Sequence, residues 1–310
     1  MNDGAKLTFG IARHEGFDLL RVIAIAMIFI QHAMAVQGYY ESTTQWGVNL
    51  GQAGVGIFCA ISGYLAFCVN RDHPANWLKR RLLTVFPAYW IVTVFAFMLA
   101  LVIGNDKATL PLFLSQMLGT GYFTHGWELV NIVSWFISLI LLCYLIALIA
   151  KLSGRAVWLL LTVALFCAVL LATRQEVDLS RHILGFCLAG AFASLHRRSK
   201  RGPQLIVGAS GMMVLGMFLD TQFVYGALAL LLIGLAPRLN QAGNTLIVQA
   251  SRHSYEFFLV HGIFLVGTAK LTDLSALAQV IAALVASILF SPLLHVGTAK
   301  MIGFFRTSGK

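Results

Sequence analysis

The chain has 310 residues and a formal net charge of +10, and 59% of its residues are hydrophobic while only 11% are charged. A soluble domain carries about 25% charged residues, so this composition excludes an ordinary soluble protein and indicates one embedded in lipid. Because the basic residues fall in short segments between apolar runs, they indicate membrane orientation, and nucleic-acid binding is not expected.

Apolar segments in chain order predict an all-α polytopic membrane protein with about ten transmembrane helices. Most of them approach the roughly 20 residues that a spanning helix needs, and the sixth to eighth are shorter. The predicted spans are 17–37, 52–69, 83–103, 130–150, 156–172, 182–195, 204–219, 222–236, 254–270 and 276–297. They leave no room for a separate soluble domain, which predicts one membrane domain over 1–310. A further stretch, 110–123, contains Pro111 and two glycines and is expected to be re-entrant or interfacial.

The distribution of Lys and Arg predicts the orientation. With the N-terminus inside, the cytoplasmic segments carry 17 of these residues, and the opposite side carries four: Lys107, Arg174, Arg181 and Lys270. This asymmetry predicts cytoplasmic N- and C-termini in an inner (plasma) membrane protein that contacts lipid throughout.

Three ionisable residues lie in the first span: Asp18, Arg21 and His32. Arg21 and His32 are eleven positions apart, so on a helix they share one face, about 16 Å apart along the axis. Arg21 is placed to bind phosphates at the inner mouth, and His32 to act as a base deeper in the membrane. The alternative is that Arg21 reaches the lipid headgroups and His32 makes one interhelical hydrogen bond. Spacing alone leaves both open.

Two motifs follow. The second span contains Gly54-Val55-Gly56-Ile57-Phe58 and Ser62-Gly63-Tyr64, and the simplest interpretation of such small residues is close helix packing. The segment Lys79-Arg80-Arg81 precedes the third span. Three cations at an inner membrane edge are usually orientation signals and headgroup contacts, but Arg also matches phosphate groups.

The ninth span contains Glu256 and His261, which can relay protons or orient a substrate hydroxyl. Five residues apart, they do not share a helix face closely, so direct pairing is not implied. His295, near the inner end of the last span, is expected to be interfacial. The nine histidines show no H-x3-H spacing, so no metal site is expected.

In this order, these elements resemble the acyltransferase-3 family of integral membrane acyltransferases over nearly the whole chain. The matching elements are Arg21 with His32, Gly54-Val55-Gly56-Ile57-Phe58 with Ser62-Gly63-Tyr64, Arg80-Arg81 with Pro87 and Tyr89, Trp135 with Tyr144, and Ser254-Tyr255 with His261.

The resemblance implies transfer of an acyl group, usually acetyl, from cytoplasmic acyl-CoA to a carbohydrate hydroxyl. The acceptor would be an exopolysaccharide, an O-antigen or a lipid-linked glycan precursor, and acyl-CoA would be a donor substrate, with no permanently bound cofactor. His32 would be the catalytic base or a transient acyl carrier, and Arg21 would position the donor. The donor-binding candidates are Lys79, Arg80 and Arg81, and the substrate-binding candidates are Ser62, Tyr64, Trp135, Glu256 and His261.

Three positions depart from the family pattern and indicate a divergent member. Thr84 stands where a second Arg is common, Gly56 where an Asp is common, and Ile140 where a Glu is common.

Two alternatives stay open. A transporter or exporter of a small solute or glycan would use the same intramembrane charges as a pathway. A structural subunit of a glycan-assembly complex would carry no chemistry of its own. Loss of acetylation on substitution of His32 by Ala would separate the enzyme from the transporter, and turnover of acetyl-CoA by the purified protein would exclude the structural subunit.

Overall fold

The computed structural model describes residues 15–40, 44–45, 48–68, 73–198, 202–236, 239 and 244–307. In these residues the chain is almost entirely helical, with a short antiparallel pairing of β1 (Thr44–Gln45) with β2 (Val48–Asn49). The helices are α1 Glu15–Val36, α2 Leu50–Phe67, α3 Pro74–Val102, α4 Leu110–Met117, α5 Gly121–His125, α6 Trp135–Leu152, α7 Ala156–Ala172, α8 Ser180–Arg198, α9 Gly202–Gly216, α10 Phe223–Leu235, α11 Thr245–Arg252, α12 Ser254–Leu271 and α13 Ala276–Thr307.

Each predicted span overlaps a helix, and the protein has the apolar helices of a membrane protein. Among the described residues, five helical segments are long and apolar enough to cross a bilayer: Gly16–Val36, Leu50–Phe67, Pro74–Val102, Ile132–Leu152 and Ala276–Gly303. Shorter apolar helices cover Ala156–Ala172, Val207–Gly216 and Phe223–Leu235. Ten crossings with both termini in the cytoplasm therefore stays a prediction.

The cations on which the predicted orientation rests are only partly described. Seven on the predicted cytoplasmic side lie outside the described residues: Lys6, Arg13, Arg71, Lys200, Arg201, Arg238 and Lys310. On the opposite side, three of the four contact an acid: Lys107 with Glu128, Arg174 with Asp220, and Arg181 with Asp178.

The stretch 110–123 forms two short helices rather than a span. The eight residues of α4 and the five of α5 are separated by a turn at Gly119, which has a positive φ of 74°. At 1.5 Å per residue, neither helix crosses a bilayer.

Helix α2 is the centre of the fold, since it packs against α1, α8 and α10. A Cβ on Gly54 would lie 2.5 Å from the Ala24 carbonyl oxygen, and a Cβ on Gly63 only 2.1 Å from that of Phe186. These glycines let two backbones meet. Close packing, the simplest interpretation of the glycine motif, is confirmed at both positions.

Apolar side chains cover the outside of α7 and α13. Leu165, Phe166, Leu289 and Leu293 are 67%, 61%, 66% and 67% exposed, respectively. Exposed apolar surface of this extent marks contact with a membrane or partner, and on helices this apolar it faces lipid.

Candidate active site

A cavity of about 500 Å³ lies near the N-terminal end of α1. Helices α1, α2, α3 and α6 and the junction of α11 and α12 supply its walls, and its polar lining includes Asp18, Arg21, Ser62, Thr84, Tyr144 and Arg252. We call it the inner cavity, because in the predicted topology it lies toward the cytoplasm. Its lining carries two guanidinium groups and one carboxylate, and it therefore favours an anion.

Arg21 is held at the wall of the inner cavity by its own helix. Its Nη1 donates to Oδ1 of the buried Asp18 at 3.0 Å, and the Ser251 hydroxyl donates to the same oxygen at 2.7 Å. The carboxylate thus ties α1 to α11 and orients the guanidinium. Because a charge-assisted hydrogen bond is strong, this contact restricts Arg21 more than a surface ion pair would.

A second cavity, of about 620 Å³, surrounds the C-terminal half of α1. We call it the outer cavity, and its polar lining includes Gln31, His32, Gln52, Trp135, Asp178 and Arg181. Most of these residues lie near the first turns of α2, α6 and α8, which the predicted topology places at the non-cytoplasmic side.

His32 pairs with His261 across helices α1 and α12. His32 Nδ1 lies 2.7 Å from His261 Nε2, and His261 Nδ1 lies 2.7 Å from the Phe258 carbonyl oxygen. A carbonyl oxygen only accepts, so His261 Nδ1 carries the proton and, with both rings neutral, His261 Nε2 accepts from His32 Nδ1. This leaves the lone pair on His32 Nε2, which suits a base or nucleophile. His261 lies behind His32 and is fully buried.

A polar network faces His32 from the other side of the outer cavity. Arg181 donates to Asp178 at 2.8 Å and to Gln222 at 2.7 Å, and its guanidinium lies 5.6 Å from the centre of the Tyr225 ring. The Tyr122 hydroxyl donates to Asp178 at 3.4 Å. Burial and the charge of Asp178 raise the pKa of Tyr122 to about 12, so this phenol stays a donor at neutral pH.

An aromatic wall completes the outer cavity. The rings of Trp127 and Trp135 lie 5.4 Å apart, and both line the cavity. Aromatic faces can pack against the apolar side of a small polar molecule, and the planar amide, carboxylate and guanidinium groups beside them can bind its hydroxyls.

Two buried polar side chains, one in the lining of the outer cavity and one hydrogen-bonded to that lining, have unmet hydrogen-bonding groups. Both amide atoms of Gln31, which is 2% exposed, have no partner among the described residues, and neither has Nδ1 of His182. His182 Nε2 donates to Gln52 Oε1 at 2.7 Å. Gln31 precedes His32 in the sequence, but that adjacency gave no signal, because neighbouring helical residues point in different directions.

A cluster of three phenylalanines lies between the two cavities. The ring centroids of Phe58 and Phe136 are 6.5 Å apart and those of Phe136 and Phe258 are 5.0 Å apart. All three line the inner cavity, and Phe258 lines the outer one as well. Arg21 and His32 therefore border different cavities, and the continuous polar track that their spacing suggested is interrupted at this phenylalanine cluster.

The basic motif before the third span lies beside the inner cavity rather than in its lining. Lys79 and Arg80 are exposed, and the Arg81 guanidinium lies 5.9 Å from the Trp77 ring centroid. Trp77 in turn contacts Tyr144, which lines the cavity, with ring centroids 5.7 Å apart. Arg252, counted from sequence only as an orientation charge, does line the inner cavity.

The five candidate substrate-binding residues do not form one site. Ser62 lines the inner cavity and Trp135 the outer one. Tyr64 packs between Phe17 and Phe192, with centroid distances of 5.2 and 5.9 Å.

The remaining two candidates separate along α12. His261 contacts His32, whereas Glu256 accepts from His295 Nδ1 at 2.7 Å. The spacing did not imply direct pairing of Glu256 with His261, and the two residues have different partners.

The three departures from the family pattern fall in two places. Thr84 and Ile140 both line the inner cavity, where the common Arg and Glu would stand. Gly56 lies near residues beside the outer cavity. A Cβ on Gly56 would lie 3.5 Å from the Tyr225 carbonyl oxygen and 3.8 Å from His182 Nδ1.

Comparison with known proteins identifies the family of the chain. The model of the acyltransferase-3 family, described as an acyltransferase domain, matches residues 14–296. The chain belongs to this family. No curated protein and no solved structure matches the chain significantly. The resemblance on which the sequence interpretation rested is thus confirmed, and the acyltransferase-3 protein is a membrane protein of an acyl-transferring family. The matched range includes both cavities and the His32–His261 pair.

Proposed function

We propose that this acyltransferase-3 protein transfers an acyl group, in the simplest case acetyl, from cytoplasmic acyl-CoA to a carbohydrate hydroxyl on the far side of the inner membrane. The observation that carries the proposal is the His32–His261 pair, because it leaves an unprotonated nitrogen on His32, which lines a cavity of about 620 Å³. The proposal includes ten membrane crossings with cytoplasmic termini, because this topology places the two cavities toward opposite sides of the membrane.

The donor binds at the inner cavity. Its phosphates contact Arg21 and Arg252 in the lining, with Lys79, Arg80 and Arg81 at the adjacent edge, because guanidinium groups match phosphate oxygens. The pantetheine arm then extends along the apolar wall toward the phenylalanine cluster. A shift of the Phe258 side chain, which borders both cavities, would let the thioester reach His32.

The acceptor binds in the outer cavity. Trp127 and Trp135 offer aromatic faces for a sugar ring, and Asp178, Arg181 and Gln31 offer groups for its hydroxyls. Asp178 and Arg181 balance in charge, which favours a neutral carbohydrate over a charged one.

The chemistry requires one proton transfer to His32 and one from it. His32 Nε2 removes the proton of the acceptor hydroxyl as its oxygen attacks the thioester carbonyl carbon, and a C–O bond forms. The tetrahedral intermediate then collapses, the C–S bond breaks, and the CoA thiolate takes the proton from His32. The products are the acyl ester and free CoA. His261 orients the ring and stabilises the charge that His32 carries between the two steps. Attack by His32 Nε2 itself, with a transient acyl-imidazole, balances equally and needs the same tautomer.

The test uses His32→Ala in proteoliposomes that contain acetyl-CoA and the host glycan. A base of this kind contributes about 10² to 10⁴ in rate, so release of CoA should fall by about 10³. His73→Ala, which removes an exposed histidine, is the matched control and should leave the rate unchanged. If His32→Ala inserts normally and the glycan is still fully acetylated, the assignment of His32 is wrong.

The same assay addresses transport. A transporter would also need two cavities at opposite ends of α1 with a barrier between them, as the phenylalanine cluster provides here. A transporter would move glycan into the vesicles without producing free CoA, whereas the acyltransferase produces one CoA per ester formed.

A further inference from the structure

A third polar cluster lies apart from both cavities, where the junction of α11 and α12 meets α13. It comprises His253, Glu256 and His295, each of which offers one ligand atom, and these atoms lie within 4.8 Å of one another. The His295–Glu256 hydrogen bond and an edge-on contact between the two imidazoles, with centroids 5.0 Å apart, hold the three together. None of the three lines the inner or the outer cavity.

Two atoms of this cluster are enclosed without a hydrogen-bond partner among the described residues. They are Oε2 of Glu256 and Nδ1 of His253. Glu256 is only 5% exposed, so its second oxygen has no ready access to water. Buried polar atoms in proteins are usually paired, and a carboxylate oxygen left unpaired beside an unpaired imidazole nitrogen indicates a missing ligand.

We propose that His253, Glu256 and His295 bind a divalent transition-metal cation of the zinc type. Two imidazole nitrogens and one carboxylate oxygen are a ligand set that zinc and its neighbours accept, whereas magnesium and calcium prefer oxygen ligands alone. The cation takes the place of the proton that His295 and Glu256 share, and it supplies a partner for the Glu256 carboxylate and for His253 Nδ1. Water fills the fourth position at the exposed edge, where His295 is partly exposed.

A hydrogen-bonded His–Glu pair is the simpler explanation for two of the three residues. It does not account for His253. The His253 ring contacts the His295 ring of this pair, and its Nδ1 is enclosed and has no hydrogen-bond partner among the described residues. In a tetrahedral zinc site the ligand atoms are about 3.4 Å apart. The His295–Glu256 contact of 2.7 Å would therefore open slightly, and the ligand atoms, which all lie within 4.8 Å of one another, would close around the cation.

The position gives the cation a structural role. His253 lies between Ser251 and Arg252 on one side and Ser254 and Tyr255 on the other, and these four residues line the inner cavity. Ser251 also donates to Asp18, which orients Arg21. A cation that joins this segment to α13 therefore stabilises the wall against which the donor would bind. The metal proposal itself does not depend on the acyl-transfer mechanism.

The experiment measures zinc in the full-length protein purified in detergent without a histidine tag. The protein is stripped with a chelator, incubated with zinc chloride, dialysed and assayed by elemental mass spectrometry. We expect one zinc per chain in the wild type and less than a tenth of that in Glu256→Gln and His295→Gln. His73→Gln, on an exposed histidine away from the cluster, is the control and should keep one zinc. Zinc should also raise the unfolding temperature of the wild type and not that of Glu256→Gln.

Either of two results would overturn the proposal. One is a wild type that retains no zinc after dialysis. The other is retention of the same amount by both variants, which would show adventitious binding at other histidines. Because Glu256→Gln conserves shape, it should fold; if it elutes as an aggregate, His295→Gln at the more exposed position decides the outcome.

Discussion

The two cavities on α1 differ in charge and in the side chains that surround them. The inner cavity has an excess of positive charge and an apolar end at the phenylalanine cluster, whereas the outer cavity has balanced charges, two tryptophans and several amides. The same helix supplies Arg21 to one and His32 to the other. In the proposed function, this contrast assigns a phosphorylated molecule to one end of the protein and a neutral polar one to the other, with His32 on the acceptor side.

The largest effect in this comparison, after that of His32 itself, is expected for His261. His261→Leu removes the acceptor that fixes the His32 tautomer, so kcat should fall by about 10² while the KM for acyl-CoA stays unchanged. His261→Gln should recover much of the rate, because its amide oxygen can still accept from His32 Nδ1. Steady-state kinetics in proteoliposomes measure both constants. A His261→Leu enzyme with wild-type kcat would show that the pair is only packing.

The next effect concerns the inner cavity. Arg21→Gln removes a charged phosphate contact, so the KM for acyl-CoA should rise about 10- to 100-fold with a small change in kcat. Arg174→Gln is the control, since it removes an ion-paired Arg that neither cavity includes. Thr84→Arg adds a cation to the same lining and should lower this KM. An unchanged KM in Arg21→Gln would assign the donor elsewhere.

Gln31 gives a test of the outer cavity in which acceptor binding should weaken while stability is retained. If its amide binds the acceptor, Gln31→Leu should raise the acceptor KM by about five- to tenfold, the value of one neutral hydrogen bond. The free energy of unfolding should not fall, because the substitution removes buried polar atoms that have no partner among the described residues. An unchanged acceptor KM would exclude Gln31 from the site.

The smallest effect tests whether α2 serves both cavities. Gly63→Ala places a Cβ 2.1 Å from the Phe186 carbonyl oxygen, so it should cost about 1–3 kcal/mol and impair both KM values. Gly56→Ala is the matched substitution, with its nearest atom at 3.5 Å, and should be tolerated. Thermal unfolding in detergent followed by tryptophan fluorescence compares them. Equal losses in both variants would contradict the packing seen at Gly63.

The helices were the most predictable feature, because long apolar runs can satisfy their backbone in lipid only as helices. The resemblance to the family was also readable from local motifs. The ends of the helices were less predictable. Helix α3 begins at Pro74, well before the predicted span at 83, because its first turns are polar yet still helical. The two-helix arrangement of 110–125 followed from turn residues that a hydropathy reading does not resolve.

For the site, Arg21 and His32 could be selected because charged and basic groups are costly in a membrane helix. The partners of these residues could not. His261 is 229 positions from His32, and Ser251 is 233 positions from Asp18. The sequence indicated that Glu256 and His261 are both functional candidates, but not that they point into different clusters with different partners.

Composition and hydropathy by themselves determined that this protein is a helical membrane protein, and the ordered motifs determined its family, since both depend on residues close together in the chain. Only the tertiary structure decided which polar residues meet. It divided the face shared by Arg21 and His32 into two cavities at Phe258, paired His32 with His261, and brought His295 to His253 and Glu256. The reason is that helix packing, and not sequence spacing, sets the distances between side chains on different helices.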